Sequence, residues 1–521
     1  MPTVPEPSGL TLEEEIAEFE RLKPHLADLW QSVFPDDQQH YTSVVVPSLT
    51  LDPAELARLP GVTCLEERLL FLLIRLRNPH ARMVYVTSQP IHPKVLEYYF
   101  QLLAGIPASQ AQARLTLLCA YDGSARPLTE KILERPRLMQ RIRAAVRDPA
   151  RAYLTVYNST RLERRLAVLL GIPLNGVDPE LSVLGTKSGS RRVFREAGVE
   201  CALGAEDLYS RADVEEAVVE LRRRRPGLRR CVLKLNESLG GEGNAVFSFP
   251  PEVSREAVRD AMQHLQMPTS AQTADGFFQT LVRTGGVVEE LLQGREQTSP
   301  SVQLRINPRG ATLVSSTHEQ IMSGPTGLVF QGCRFPALDA YRLRLQDAGL
   351  KIARVLASKG VVSRVAVDFL ARRDAPKDEW TLTALEINLR MGGATHPMLA
   401  LRFLTGGQLE PETGLFRTPR GHAKYYRATD NLRSEAYRRF APEDLIDLLT
   451  MYRLHYSHHT ETGALFYMIG GISEFGRVGM MAIANSPEEA EGAYERTVAV
   501  LDQEAGEPSP VRPNLSASTA T

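Results

Sequence analysis

Residues 232–249 read VLKLNESLGGEGNAVFSF, which sets Lys234 at the end of an apolar run and Gly240, Gly241, Gly243 and Asn244 in the loop that follows. A Gly-rich loop lets backbone N–H groups close on phosphate oxygens, and a neighbouring lysine adds a full positive charge. The same GGEGN also suits a plain β-hairpin turn. A second pattern pairs VAVDFL, carrying Asp368, with ALEINLRMGG, carrying Glu386, Asn388 and Arg390. Residues i and i+2 of a strand share a face, so Glu386, Asn388 and Arg390 form one polar row, and an antiparallel neighbour would stand Asp368 beside it. Two carboxylates and an amide oxygen are costly to bury without a cation, and hard oxygen ligands suit Mg²⁺. The competing reading is an exposed strand face, or an internal ion pair of Arg390 with Glu386.

Several histidines invite chemistry less strongly. His318 and Glu319 in STHEQ end a predicted hairpin, where substrate contact or proton acceptance from an amine stands against a structural role. His396 in GGATHP could seat a substrate carboxylate or simply begin a helix; Ser301 and Gln303 have only their position in their favour. His455, His458 and His459 have the i, i+3, i+4 spacing of a shared helical face, yet no Cys or carboxylate completes a metal set and the segment is leaving a helix. The run Arg222 to Arg225 before Pro226-Gly227 reads as a solvated helix end.

These residues need a framework of several domains. The 521 residues are 43% apolar and 24% charged, an ordinary folded composition with room for about three domains. From Leu10 to about Asp178, TSVVVPSL, ARMVYVTS, ARLTLLCAYD and RAYLTVYNS read as strands alternating with helices, CLEERLLFLLIRLR among them, which implies a mostly parallel sheet. No GxGxxG follows the first strand, so a dinucleotide fold lacks its main support. From 181 to 407 the pattern is α+β and built on hairpins, including PSVQLRINPRGATLVSST across the Pro308 to Gly310 turn. A Gly/Pro-rich linker at 408–422 leads to a small α+β unit at 423–504 with strands GALFYMIGG and RVGMMAIA, and a polar tail at 505–521 should be disordered.

The net charge of −1 gives no reason to expect nucleic acid, and no run reaches 18 apolar residues, so no membrane partner is expected. Five scattered cysteines without a CxxC pair suggest a reducing, cytoplasmic setting. Only nine of the 61 basic residues are lysines, which makes every position that holds one worth attention. Lysine offers a compact ammonium where arginine offers a flat fork.

Taken in order, Lys187 opening a helix, Lys234 before the Gly-rich loop, EELLQGRE (289–296), Asp368, and Glu386-Ile-Asn388-x-Arg390 resemble the motifs of the ATP-grasp superfamily across about residues 181–407. The flanks SPSVQLRINP, STHEQIMSG and QGCRFPA and the C-terminal FYMIGGISEFGRVGMMAIANSPEEA resemble its pheganomycin-type peptide ligases. The resemblance implies an α/β pre-ATP-grasp domain (1–180), an ATP-grasp domain with a lid near 190–285, and a small C-terminal domain. It implies that Lys187 and Lys234 contact ATP phosphates under the 240–244 loop. Glu289 would accept the adenine amino group, Glu290 and Leu292 would form the hinge, and Glu296 would hold the ribose. Asp368, Glu386 and Asn388 would bind Mg²⁺, two ions with Mn²⁺ as an alternative, and Arg390 would stabilise an acyl-phosphate step. The implied partners are a carboxylic acid or amino acid and an amine, in a homodimer. One departure is that some such ligases place an arginine two residues before the first metal carboxylate; here Ala366 is there and the nearest is Arg364. An ATP-grasp kinase and a nucleotide-binding scaffold without turnover are the alternatives.

Overall fold

The computed structural model of the chain describes residues 9–33, 39–237, 243–267, 272–323 and 329–506. Gly240, Gly241 and the tail from 507 onward lie outside them. The first sheet comprises β1 (Tyr41–Val46), β2 (Ala81–Thr87), β3 (Leu115–Cys119), β4 (Ala152–Val156) and β5 (Leu174–Asn175), all parallel, in the order β3-β2-β1-β4-β5. Its central strands are buried along their length, as near-continuous apolar runs covered on both faces should be. CLEERLLFLLIRLR is helical but wound as a 3₁₀ helix, Cys64–Arg77, with side chains buried around most of its circumference rather than along one stripe.

That 3₁₀ segment ties the first domain to the last. The buried Glu67 carboxylate accepts a hydrogen bond from the Gly470 N–H at 3.0 Å, and burial pushes its pKa up from 4.5 to about 7. A carboxyl whose folded pKa is raised contributes stability that is full below about 4.5 and lost as pH rises through about 7. Glu67→Gln should therefore stabilise the protein at pH 8 by about 1–3 kcal/mol and leave it nearly unchanged at pH 4.5. Thermal melts at the two pH values check this; an equal shift at both would count against it.

Two antiparallel sheets follow. A small one holds β6 (Gly204–Leu208), β7 (Arg230–Leu235), β8 (Asn244–Ser248) and β9 (Gly286–Glu290) in the order β6-β9-β7-β8, under the helices Arg211–Arg224 and Ala274–Thr284. The larger begins with β10 (Glu296–Ile306), β11 (Thr312–Ser323), β12 (Val329–Phe335), β13 (Ser363–Arg373) and β14 (Thr381–Asn388), ordered β14-β13-β10-β11-β12. The β10–β11 turn lies where sequence places it, with Gly310 at φ +78°. Alternation divides this sheet's two faces. Gly349 of the helix Arg342–Ser358 packs on Val302 and Leu304, while Ser301, Gln303, Arg305, Arg364, Ala366 and Asp368 occupy the other face.

The C-terminal region continues this sheet. The segments β15 (Gln408–Leu409) and β16 (Phe416–Arg417) lie within the expected linker, and β17 (Ala423–Arg433), unread in the sequence, pairs with β12. The strands β18 (Gly463–Tyr467) and β19 (Arg477–Ala484) complete ten. Among the described residues no helix is long and apolar enough to cross a membrane.

Candidate active site

Three chain segments meet at the seam between the two antiparallel sheets. The helix Lys187–Glu196 starts there because the Thr186 hydroxyl caps it, accepting from the Gly189 N–H at 3.0 Å. Glycine is required at 189, since a Cβ would run into the Val183 carbonyl. Asn236 fixes this start to the end of β7: its side-chain oxygen accepts from the Ser188 N–H at 2.9 Å and its amide donates to Thr284 O at 3.0 Å. A Cβ at Gly286 would lie 2.6 Å from Lys234 O, so β9 can draw close to β7 only without one. Ser190 completes the join, its hydroxyl accepting from the Ile387 N–H at 3.0 Å on β14.

The oxygen-rich row forms as the strand pattern implies. Asp368 stands opposite Glu386 across β13 and β14, and a bulge interrupts the register just after Asp368. The Asn388 amide donates to Asp368 Oδ2 at 3.0 Å and to Glu386 Oε1 at 3.1 Å, and Gln320 on β11 donates to Asp368 Oδ1 at 2.8 Å. Lys187 pairs with Glu386. Arg390 is close enough to act on both Lys187 and Asp368. Burial pushes the Asp368 carboxyl above its ordinary range, against the pull of Lys187, Arg390 and the two amides. Burial and the Lys234 ammonium press Lys187 down to about 7, and the Asp368 and Glu289 carboxylates oppose them. Two carboxylates joined through an amide form a hard-oxygen donor set suited to Mg²⁺. In this structure lysine and amide N–H groups meet that charge.

Glu289, whose expected role is to accept the adenine amino group, faces two cations. It is 3% exposed and bridges Arg191 Nη1 and Lys234 Nζ, each at 2.7 Å. These cations hold its carboxyl below the ordinary range despite burial. Glu290 accepts from the Leu203 N–H at 2.9 Å, Leu292 is half-buried in the following loop, and Glu296 is held at 2.6 Å by Arg373. Gly243 accepts from the Leu235 N–H at 2.9 Å, and the buried Asn244 side-chain oxygen has no partner among the described residues.

The histidines take the structural alternatives. His318 shares the face of Ser301 and Asp368, but its ring is fully buried, 2.5 Å from the Tyr426 hydroxyl, and burial lowers its pKa to about 3. It is therefore a neutral packed ring rather than a group open to an incoming amine. Glu319 accepts from the Tyr341 hydroxyl at 2.6 Å, and Ser301 is buried with its hydroxyl unpartnered among the described residues. His396 stacks on Tyr467 with ring centres 3.8 Å apart. The 455–459 segment forms bridges and turns, so its histidines do not share a helical face, and no group of three or more His, Cys, Asp or Glu able to hold a metal occurs among the described residues. Sequence reading missed Arg191, Asn236 and Gln320. The signal for Asn236 and Gln320 was position, each two residues from a singled-out side chain and on its face of the strand or strand end.

The family described as IQCH-like, ATP-grasp matches residues 179–267 and 252–412, and the PGM1 C-terminal domain matches residues 444–497. An L-propargylglycine–L-glutamate ligase of Streptantibioticus cattleyicolor is 29% identical over 472 residues, spanning 88% of this chain and 94% of that protein. IQ motif-containing protein H of Danio rerio is 23% identical over 453 residues, 78% of this chain and 42% of that longer protein. Among solved structures, biotin carboxylase from Campylobacter jejuni superposes with a TM-score of 0.53 at 12% identity, covering 88% of this chain and 90% of that one. The biotin carboxylase domain of Hydrogenobacter thermophilus 2-oxoglutarate carboxylase gives 0.52 at 12%, with the same coverage. At such identities the likeness is one of fold.

Proposed function

The chain belongs to the ATP-grasp superfamily, and from that membership we propose that it is an ATP-dependent carboxylate–amine ligase that forms an amide bond through an acyl phosphate. The observation that carries this reading is the meeting of Lys187, Lys234 and Arg390 with Asp368, Glu386 and Asn388 at one seam. A carboxylate is a poor electrophile with a poor leaving group, so an amine cannot displace its oxygen without prior activation. A carboxylate oxygen attacks the γ-phosphorus and the bond to ADP breaks; the amine then attacks the acyl carbon, loses a proton, and phosphate leaves. Both steps gather negative charge on phosphoryl oxygens, and fixed cations shielded from water stabilise it most.

Lys187 and Lys234 bind and orient the phosphates, and Arg390 sits at the reacting end. Asp368, Glu386 and Asn388 would hold Mg²⁺, which neutralises charge on the phosphates when bound. The hinge at Glu290 and Leu292 and the ribose contact at Glu296 complete the nucleotide site, with Glu289 setting the position of Lys234. The substrates are a carboxylic acid or amino acid and an amine; the ligase relative joins two amino acids. ADP release screened over acid and amine pairs, with mass spectrometry of the products, tests this. Release should require both partners and yield a mass equal to their sum less water. A phosphate ester formed without any amine would overturn it.

A further inference from the structure

A cavity of about 580 Å³ lies between the first domain and the polar face of the large sheet. Its lining includes Arg75, Arg77, Arg305, Arg364 and Arg402, and no Asp or Glu among the described residues. Arg305 and Arg364 stand directly opposite each other on β10 and β13. Like charges so placed in a sheet repel, and burying them without a counter-charge adds a desolvation cost. Arg305 is 8% exposed, with its Nε unpartnered among the described residues; Asn175, at 2.9 Å, and the Trp30 ring, 5.2 Å from the guanidinium, meet its charge. Around Arg364 the charged neighbours are Arg305, Arg402 and Arg75, and burial with that repulsion drives its pKa well below the ordinary arginine value. Burial, with the Arg75 charge, brings Arg305 down to about 10, and the Tyr153 hydroxyl opposes them. Such an arrangement weakens the fold by itself, and an arriving anion would relieve it.

Position says which molecule the anion belongs to. Arg364 is four residues before Asp368 on one face of β13, so the two Cα atoms are about 13 Å apart. Arg402, on the helix Thr395–Thr405, faces the cavity from a third element. We propose that this cavity binds an anionic group, a carboxylate or phosphate, on a substrate whose other end reaches the metal carboxylates, with Arg305, Arg364 and Arg402 taking its charge. Assigning the group to a substrate rests on the ligase reading; the anion site itself does not.

The test uses the full chain without nucleotide, titrated with L-glutamate, citrate, inorganic phosphate and, as a neutral control, L-glutamine at constant ionic strength. Calorimetry and thermal shift should record saturable binding of at least one anion and none of L-glutamine, and Arg364→Met should weaken it roughly tenfold or more. Without ligand Arg364→Met should melt higher than the parent, because a like charge directly opposite Arg305 is removed, and should still bind ATP. Tighter binding of the carboxylates assigns the group as carboxylate, and tighter binding of inorganic phosphate assigns it as phosphoryl. No binding by any anion, or equal binding in Arg364→Met and parent, overturns the proposal even where ligase activity is found. Anion binding in a chain that forms no amide keeps the site and overturns the ligase reading.

Discussion

Replacing Glu386 by Gln is expected to lower ADP release by roughly 10²–10³-fold while leaving the fold in place. The substitution keeps the shape of the side chain and an oxygen able to accept from Asn388, so β14 and its pairing with β13 lose nothing they depend on. What it removes is one of two carboxylates at the seam and the counter-charge of Lys187. The proposed Mg²⁺ then faces a single carboxylate, and the loss should appear as a higher Mg²⁺ requirement together with a lower kcat. ATP binding measured without Mg²⁺ should change less, because Lys187 and Lys234 remain. A Glu386→Gln enzyme with the parent's kcat and Mg²⁺ dependence would remove this carboxylate from the chemistry.

The residues behind that expectation were legible because each belongs to a strand whose alternation is clean. In VAVDFL and ALEINL a polar side chain among apolar neighbours has one face to occupy, and the hairpin-rich pattern around it argued for antiparallel pairing, so Asp368 and Glu386 came out opposite each other. The parallel first sheet was legible for a similar reason, although Leu174–Asn175 was too short to give a period. Lys187 was found by resemblance alone, since a lysine opening a helix has no intrinsic signature. Contacts distant in sequence were not legible. Arg191 belongs to a pair with Arg192 that looks like any solvated helix face, and its partner Glu289 is 98 residues away. His318 misled because a histidine at a strand end looks accessible; only the packing of Phe335 and Tyr426 against it decides otherwise. Arg364 was noticed only as an arginine in the wrong place for an oxyanion role. Its meaning depends on Arg305 and Arg402, which the fold brings to it.

Glu289→Gln should destabilise the small antiparallel sheet by about 3–5 kcal/mol, the cost of leaving a buried charge without its partner. Arg191 is 3% exposed, and its guanidinium is held by Glu289, Glu206 and the Ala202 carbonyl. Removing the Glu289 charge takes away the buried member of this set and also frees Lys234 from its only ion pair among the described residues. Because the chain has several domains, a single melting temperature would blur the effect. Hydrogen exchange of the β7 and β9 amides reads it directly, and protection there should fall while that of β1 and β4 is unchanged. The pH dependence separates an electrostatic cause from a packing one. The folded pKa of Glu289 lies below 4.5, so the stability it contributes is present above about 4.5 and lost as pH falls through the lower folded value. The difference between parent and variant should be full at pH 7 and shrink in acid. The double variant Arg191→Met with Glu289→Leu should recover part of the loss, since apolar side chains can replace a buried pair at little cost. A penalty that is the same at every pH and is not reduced in the double variant would mean that shape, rather than charge, holds this sheet.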